Sequence, residues 1–218
     1  VDNLGLVEKT VDTTLETITI QPSILYFGTP VALITTLNED GTANISAMSS
    51  LWALGDRVIL GLGIDGQCAL NLGRERECVI NLPDGSLWRN VECIAPTTGR
   101  EDMPEYKRAQ GYRFEPDKFA LGGFSRLESG IVKPPRIAEC PLQLEACVLE
   151  MHQPAALDGT DPGFVILETQ VLRVHAHTSI VIPNTNHIDT SRWNPLLYVF
   201  RHYFSDARDL GQNFRSQA

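Results

Sequence analysis

Residues 30–83 read PVALITTLNEDGTANISAMSSLWALGDRVILGLGIDGQCALNLGRERECVINLP, and this stretch decides the fold. Residues 31–37 are apolar and β-branched, which predicts a strand. Asn38-Glu39-Asp40-Gly41 follows, and Asp-Gly supplies the positive φ that a tight hairpin needs. Residues 42–45 then predict the returning strand. Residues 44–50, Asn-Ile-Ser-Ala-Met-Ser-Ser, carry small polar side chains without a clear period and are read as a loop. After the Gly55-Asp56 turn, residues 57–62 predict a strand. Residues 66–76 predict a short helix, with Ala69, Leu70 and Leu72 on its apolar side and Arg74, Glu75 and Arg76 in water. Residues 78–82 predict a buried strand that stops at Pro83-Asp84-Gly85. Hairpin, strand, helix and strand in this order suit an antiparallel barrel with few helices.

Outward from this core, residues 15–20 alternate and predict an edge strand. Residues 84–140 are rich in Gly, Pro and charge. They predict short helices at 86–95 and 103–110, and loops at 116–119 and 121–124. A connection of this length is usually functional, so it is read as a lid or subunit-interface insertion. β-structure resumes at 142–151 and 163–175 across a turn at 158–163, with a short β-like piece at 180–182. Residues 193–204 are rich in aromatics, and 208–214 predict a terminal helix. The whole, 1–218, is expected to be one mainly β domain.

Composition narrows the partners. The chain is 43% hydrophobic and 21% charged, with a net charge of −9. An acidic balance argues against nucleic acid or an anionic membrane surface. The five cysteines, at 68, 78, 93, 140 and 147, include no CxxC pair, so they are read as free thiols in a reducing compartment. No apolar run approaches the ~18 residues of a membrane span, and no secretory pattern is present. The expectation is a soluble, cytoplasmic protein.

Two segments carry candidate binding chemistry. Asn44, Ser46, Ala47, Met48, Ser49 and Ser50 offer hydroxyls and close backbone approach, which suit the mixed edge of a heterocycle or a phosphate. An ordinary polar loop has the same composition. Asp65-Gly66-Gln67-Cys68-Ala69-Leu70-Asn71 opens the helix, and a helix N-terminus presents unpaired N–H groups to an anion. Plain capping by Asp65 is the alternative. No GxGxxG and no GxxxxGK[ST] occurs, which counts against Rossmann and P-loop folds. His175 and His177 share a strand face but have no acidic or Cys ligand nearby in sequence, so no metal site is expected of them with His187. His187, near Asp189 and Arg192, is the histidine with a functional context. No nucleophile motif is present, and no catalytic acid–base pair stands out.

Taken together, PVALITTLNEDGTANISAMSS, VILGLG and GQCALNLGRERECVINLP resemble the flavin reductase-like family, whose fold is an FMN-binding split β-barrel. Asp117-Lys118-Phe119 with Gly122, Pro135-Arg136-Ile137, Pro141-Leu142 and HIDTSRWNPLLYVFRHY extend the resemblance toward a longer branch of that family. The resemblance implies a homodimer with FMN near the interface and a site drawn from both chains. It places Asn44, Ser46, Ala47, Met48, Ser49 and Ser50 along the ring and ribityl side, and Gly66, Gln67, Cys68 and Asn71 at the phosphate. The family often carries Lys-Asp-Thr before this helix. Gly66-Gln67-Cys68 lacks both the cation and the hydroxyl, so the phosphate must rest on backbone amides, Gln67 or an Arg from elsewhere. The implied reaction is hydride transfer from NADH or NADPH to flavin N5, which needs ring stacking rather than a protein acid or base. His187, Trp193 and the 97–137 segment are the candidates for the nicotinamide or substrate side. An oxygenase that uses reduced flavin is a candidate partner. The alternatives are an FMN-binding electron carrier without nicotinamide activity, and a split barrel repurposed for another small molecule.

Overall fold

The computed structural model describes residues 16–156 and 158–211. β1 (Phe27–Pro30) leads into β2 (Ala32–Leu37), the hairpin partner β3 (Ala43–Met48), β4 (Leu51–Leu54) and β5 (Arg57–Gly63). α1 (Gln67–Glu75) and β6 (Glu77–Leu82) complete the first half. The hairpin forms as its sequence dictates. Gly41 takes φ +81, and the Asp40 carboxylate accepts from the Thr42 N–H at 2.9 Å. The 84–140 stretch holds α2 (Trp88–Ile94), β7 (Thr97–Thr98), α3 (Glu105–Ala109), β8 (Arg113–Phe114), α4 (Lys118–Gly122), β9 (Arg126–Leu127) and β10 (Arg136–Ile137). Two long strands, β11 (Leu142–His152) and β12 (Phe164–Ala176), follow, then a hairpin of β13 (Leu197–Val199) and β14 (His202–Phe204).

One seven-stranded antiparallel sheet dominates, in the order β3-β2-β6-β11-β12-β5-β4. Its two edge strands, β3 and β4, are joined only by Ser49 and Ser50. A two-residue link between opposite edges is possible only if the sheet curls until those edges meet. The result is a split barrel whose seam is the Met48–Leu51 corner. A bulge at Leu172 of β12, opposite Glu145/Ala146, and one at Leu149 of β11 supply part of the bending.

The β2 sequence reads as a continuous apolar run because both of its faces are buried. Ala32 and Ile34 point into the barrel with Leu60, Leu72, Ile80 and Leu167. Val31 and Leu33 point outward and pack with Ile45, Val91, Ile94, Phe119, Phe124 and Ile137. The 84–140 segment is therefore packed on the outer face of β2 and β3 by its own buried apolar side chains. Its loop 130–132 is also pinned from beneath. The fully buried Glu145 carboxylate accepts from the N–H groups of Gly130, Ile131 and Val132 and contacts His175 Nε2 at 2.6 Å.

Several sequence expectations need correction. Residues 44–48 are strand rather than loop. Asn44, Ser46 and Met48 share one face while Ile45 and Ala47 join the outer core, a period masked by small side chains. The 117–122 piece is a helix: the Asp117 side chain caps it by accepting from the Ala120 N–H at 3.2 Å, and Gly123 ends it at φ +65. Leu70 is 45% exposed, and Asn71 takes the buried helix position instead. Residues 16–20 form no strand, and Leu15 lies outside the described residues. Residues 178–180 are a single 3-10 turn, followed by an isolated bridge from Val181 to Ile188. Residues 208–211 are not helical, and the remainder of that expected helix lies outside the described residues.

Candidate functional site

A cleft of about 620 Å³ opens along the barrel seam. Ser46, Ala47, Met48, Ser49 and Ser50 form one side of it, with Gly61, Leu62 and Gly63 of β5 beside them. The edge strand explains what this side offers. Lys118 Nζ donates to the Ile45 carbonyl at 2.8 Å, so Ile45 directs its backbone groups away from β2. In an antiparallel pair that orientation alternates, so Ala47 also presents its N–H and C=O to the open edge. A donor and an acceptor side by side on an unpaired edge suit the amide edge of a planar heterocycle.

The N-terminus of α1 closes one end. Gly66 is the N-cap, no side chain caps it, and Gln67, Cys68 and Ala69 of the first turn all line the cleft. Their N–H groups are the ones a helix leaves unpaired. Asp65 is not the capping residue. Its carbonyl instead accepts from Lys107 Nζ at 3.2 Å, and Lys107 faces the same cleft from α3. Lys107 is half-buried, and burial pulls its ammonium below the usual lysine range although Asp65 acts against this. A cation from another element thus stands beside positions 66–68. The residue found beside the helix terminus is a lysine and not the expected Arg, with Arg100 close enough to act on it electrostatically.

Lys118 lies deeper. It is 3% exposed, and burial lowers its pKa to about 8 while the nearby Cys68 and Glu115 raise it. Burial likewise pushes the Cys68 thiol up to about 12, which makes it a neutral wall rather than a nucleophile. The far side of the cleft is aromatic. Tyr26 packs edge to face on Tyr198 and Tyr198 packs tilted on Tyr203, with ring centroids 5.4 Å and 5.6 Å apart. Tyr26 Oη lies 2.6 Å from Ser50 Oγ, and the Tyr203 hydroxyl donates to Glu92 at 3.0 Å. The 91–99 stretch forms the remaining wall.

The structure brings together eight of the ten cofactor positions expected from sequence: Ser46, Ala47, Met48, Ser49, Ser50, Gly66, Gln67 and Cys68. Asn71 and Asn44 stand behind the surface. Asn71 accepts from Gln67 at 2.8 Å and donates to Thr36 and Asn38, each at 2.9 Å, latching α1 to the hairpin. Asn44 is 2% exposed, and its Oδ1 has no hydrogen-bond partner. It sits directly beneath Gly99, where an added Cβ would come within 2.4 Å of that oxygen. His187 is exposed and Trp193 is half-buried in the 177–196 segment, and neither lines the cleft. His175 and His177 are engaged by Glu145 and the Ala138 carbonyl. Among the described residues no helix is long and apolar enough to cross a membrane. Sequence reasoning missed Lys107, Lys118, Arg201 and the three tyrosines. Lys118 had a signal in the Asp117-Lys118-Phe119 run, Tyr198, Arg201 and Tyr203 lay within the HIDTSRWNPLLYVFRHY run, and Lys107 lay within the 97–137 segment, whereas Tyr26 had none.

Comparison with known proteins bears on the same region. The profile of the flavin reductase like domain matches residues 24–206. The uncharacterized protein YdfE of Bacillus subtilis is 48% identical over 198 residues, covering 91% of this chain and 93% of that protein. Among solved structures, flavoredoxin of Desulfovibrio vulgaris aligns with a TM-score of 0.73 at 17% identity, covering 94% of this chain and all (100%) of that one. Nitrilotriacetate monooxygenase component B of Bacillus cereus aligns with a TM-score of 0.72 at 14% identity, over 91% of this chain and 100% of that one. At these identities the two structures bear on the fold.

Proposed function

The chain belongs to the flavin reductase like family, and from that premise we propose that it is an NAD(P)H-dependent flavin reductase that binds FMN in the seam cleft. One observation carries the choice of a phosphate-bearing flavin. The uncapped first turn of α1 and the half-buried Lys107 face each other across one end of a cleft whose side is an open strand edge. Such an end suits a dianionic phosphate, and the edge suits the ring system.

When bound, FMN supplies a ring that takes up hydride from a reduced nicotinamide. The chain's own residues do the positioning. Lys107 and the N–H groups of Gln67, Cys68 and Ala69 would hold the phosphate. Ser46, Ser49, Ser50 and the Ala47 backbone would hold the ring and its side chain, and Met48 would pack against it. Cys68, kept as a thiol by burial, and the tyrosine wall exclude water from the seam. Hydride transfer between stacked rings asks no acid or base of the protein. We extend the proposal to a homodimer with the flavin near its interface, to a cytoplasmic location, and to an oxygenase partner that consumes reduced flavin. The partner reading is favoured by the name of the Bacillus cereus structural neighbour, a monooxygenase component.

Titration with FMN and with riboflavin, followed by steady-state assays with NADH and NADPH, tests this. The expected result is a yellow protein that prefers FMN over riboflavin and oxidises a nicotinamide cofactor. Tight FMN retention without turnover selects an electron carrier instead. Absence of flavin binding selects a barrel repurposed for another small molecule.

A further inference from the structure

The β13–β14 hairpin closes on two residues, Phe200 and Arg201, because Val199 pairs directly with His202. Both take positive φ, 43° and 71°. Positive φ at both central positions defines a turn that strongly favours Asn-Gly, and Phe-Arg is a poor choice for it. Strain held by non-glycine residues persists where something else requires them. Phe200 is tied down through its N–H, which donates to the Tyr26 carbonyl at 2.7 Å. The turn thereby sets Arg201 on the tyrosine wall of the seam cleft, and Arg201 also borders a second cavity of about 460 Å³ on the other side of that wall.

Arg201 is exposed, and its one side-chain hydrogen bond is a long one of 3.4 Å to Ser23 Oγ. Among the described residues no carboxylate lies within ion-pair distance of it. Glu92, the acid on the same wall, is engaged by the Tyr203 hydroxyl instead. An unpaired guanidinium beside a cluster of phenol rings is a fork for an oxyanion carried on a flat, aromatic molecule.

We propose that Arg201 is a specificity residue of the cleft. With the tyrosine wall it binds the phosphate or carboxylate of a planar second ligand, the molecule that exchanges electrons with the flavin. The proposal rests on the flavin reading above, in which the α1 end is taken by the cofactor and the tyrosine end is left for its reaction partner. The strained turn is the means of presentation: an Asn-Gly turn would fold more easily but would carry no cation.

Two variants separate the turn from the charge. Phe200→Asn relaxes the turn and keeps Arg201, whereas Phe200→Asn/Arg201→Gly completes the favoured turn and removes the cation. The double variant should melt about 5 °C above the wild type, since two strained positions are relieved. Calorimetric titrations use NADH, NADPH and benzoate as probes. They are run on flavin-free protein and on protein whose FMN has been reduced beforehand, so that no hydride moves. Relative to Phe200→Asn, the double variant should lose at least about tenfold in affinity for one or more probes, with FMN affinity unchanged. Loss for NADPH alone identifies the 2′-phosphate, equal loss for NADH and NADPH the pyrophosphate, and loss for benzoate alone an aromatic carboxylate. Equal binding by the two variants overturns the proposal, as does absence of binding of all three probes to the wild type. A matching loss of FMN affinity would show the hairpin to be structural only, and also overturns it. Failure of the wild type to bind FMN would sink the flavin reading, while the flavin-free titrations still decide the role of Arg201.

Discussion

At the scale of single residues, two lysines of the cleft stand in different surroundings. Lys107 stands where the helix terminus needs a cation, although it is distant from that terminus in sequence. Lys107→Met should weaken FMN roughly ten- to hundredfold, the worth of one charge-assisted hydrogen bond, and leave riboflavin affinity unchanged. Parallel fluorescence titrations check this, and an equal loss for both flavins would show that Lys107 does not serve the phosphate. Lys118 is a buried cation whose pKa falls from 10.5 to about 8, chiefly through burial. Its folded form binds fewer protons than the unfolded chain between these values. Its contribution to stability therefore rises with pH from about 8 to 10.5, by roughly 3 kcal/mol. Denaturant unfolding of the wild type minus that of Lys118→Met should show this rise, and a flat difference would contradict it. Neither role was legible beforehand. A lysine's meaning depends on what the fold sets opposite it, and only Lys118 belonged to a run that could be singled out. Gln67 and Cys68 were legible because a helix N-terminus is written locally. Asn71 shows the limit of that logic: it lies in the same segment but serves the hairpin.

Between elements, the contact that matters joins β3 to the segment after α2. Gly99 lies over Asn44 with no room for a methyl group: an added Cβ would come within 2.4 Å of Oδ1 and 3.2 Å of Gln67 Cγ. Gly99→Ala should cost about 1–3 kcal/mol through overpacking. Asn44→Ala in the same chain should recover most of it, since the obstructing oxygen is gone. Thermal unfolding of both single variants and the double variant measures the coupling, and additive losses would place the strain elsewhere. The elements themselves were legible wherever one face or a turn residue marks them, as in the 38–41 hairpin and the helix at 67–75. β3 was not, because Asn, Ser and Ala mark no face until Ile45 is seen to meet the outer core. α4 was hidden by its glycines, which turned out to end a helix rather than belong to a loop.

At the scale of the whole molecule, Glu145 ties the 84–140 segment to the longest hairpin of the barrel. Burial alone would raise its pKa. The N–H groups of Gly130, Val132 and Ile131, together with His175, more than offset this and hold it at about 2. The folded pKa lies below the ordinary 4.5, so the stabilisation is present above pH 4.5 and is lost as pH falls toward 2. Glu145→Gln should cost about 3 kcal/mol at neutral pH, with the penalty shrinking through that acid window. Urea unfolding at pH 7 and pH 3 checks it, and a pH-independent penalty would exclude the carboxylate as its cause. This long-range tie could not be foreseen, because the sequence at 128–133 carries no sign of a buried acid elsewhere.

The Ser49-Ser50 corner that brings the two sheet edges together leaves β3 with backbone groups that no strand satisfies. Proteins guard such edges because they recruit other chains. Here the seam is guarded by Lys118 at Ile45, and further along, beside Ala47, the edge borders the cleft. A bound ligand would thus act as a missing strand as well as a reagent. Flavin-free protein should aggregate on heating sooner than flavin-loaded protein, by a margin that light scattering can record. Equal aggregation of the two forms would mean that the edge is protected without a ligand. The place proposed for the flavin is also the place where the barrel offers an unpaired edge to copies of itself.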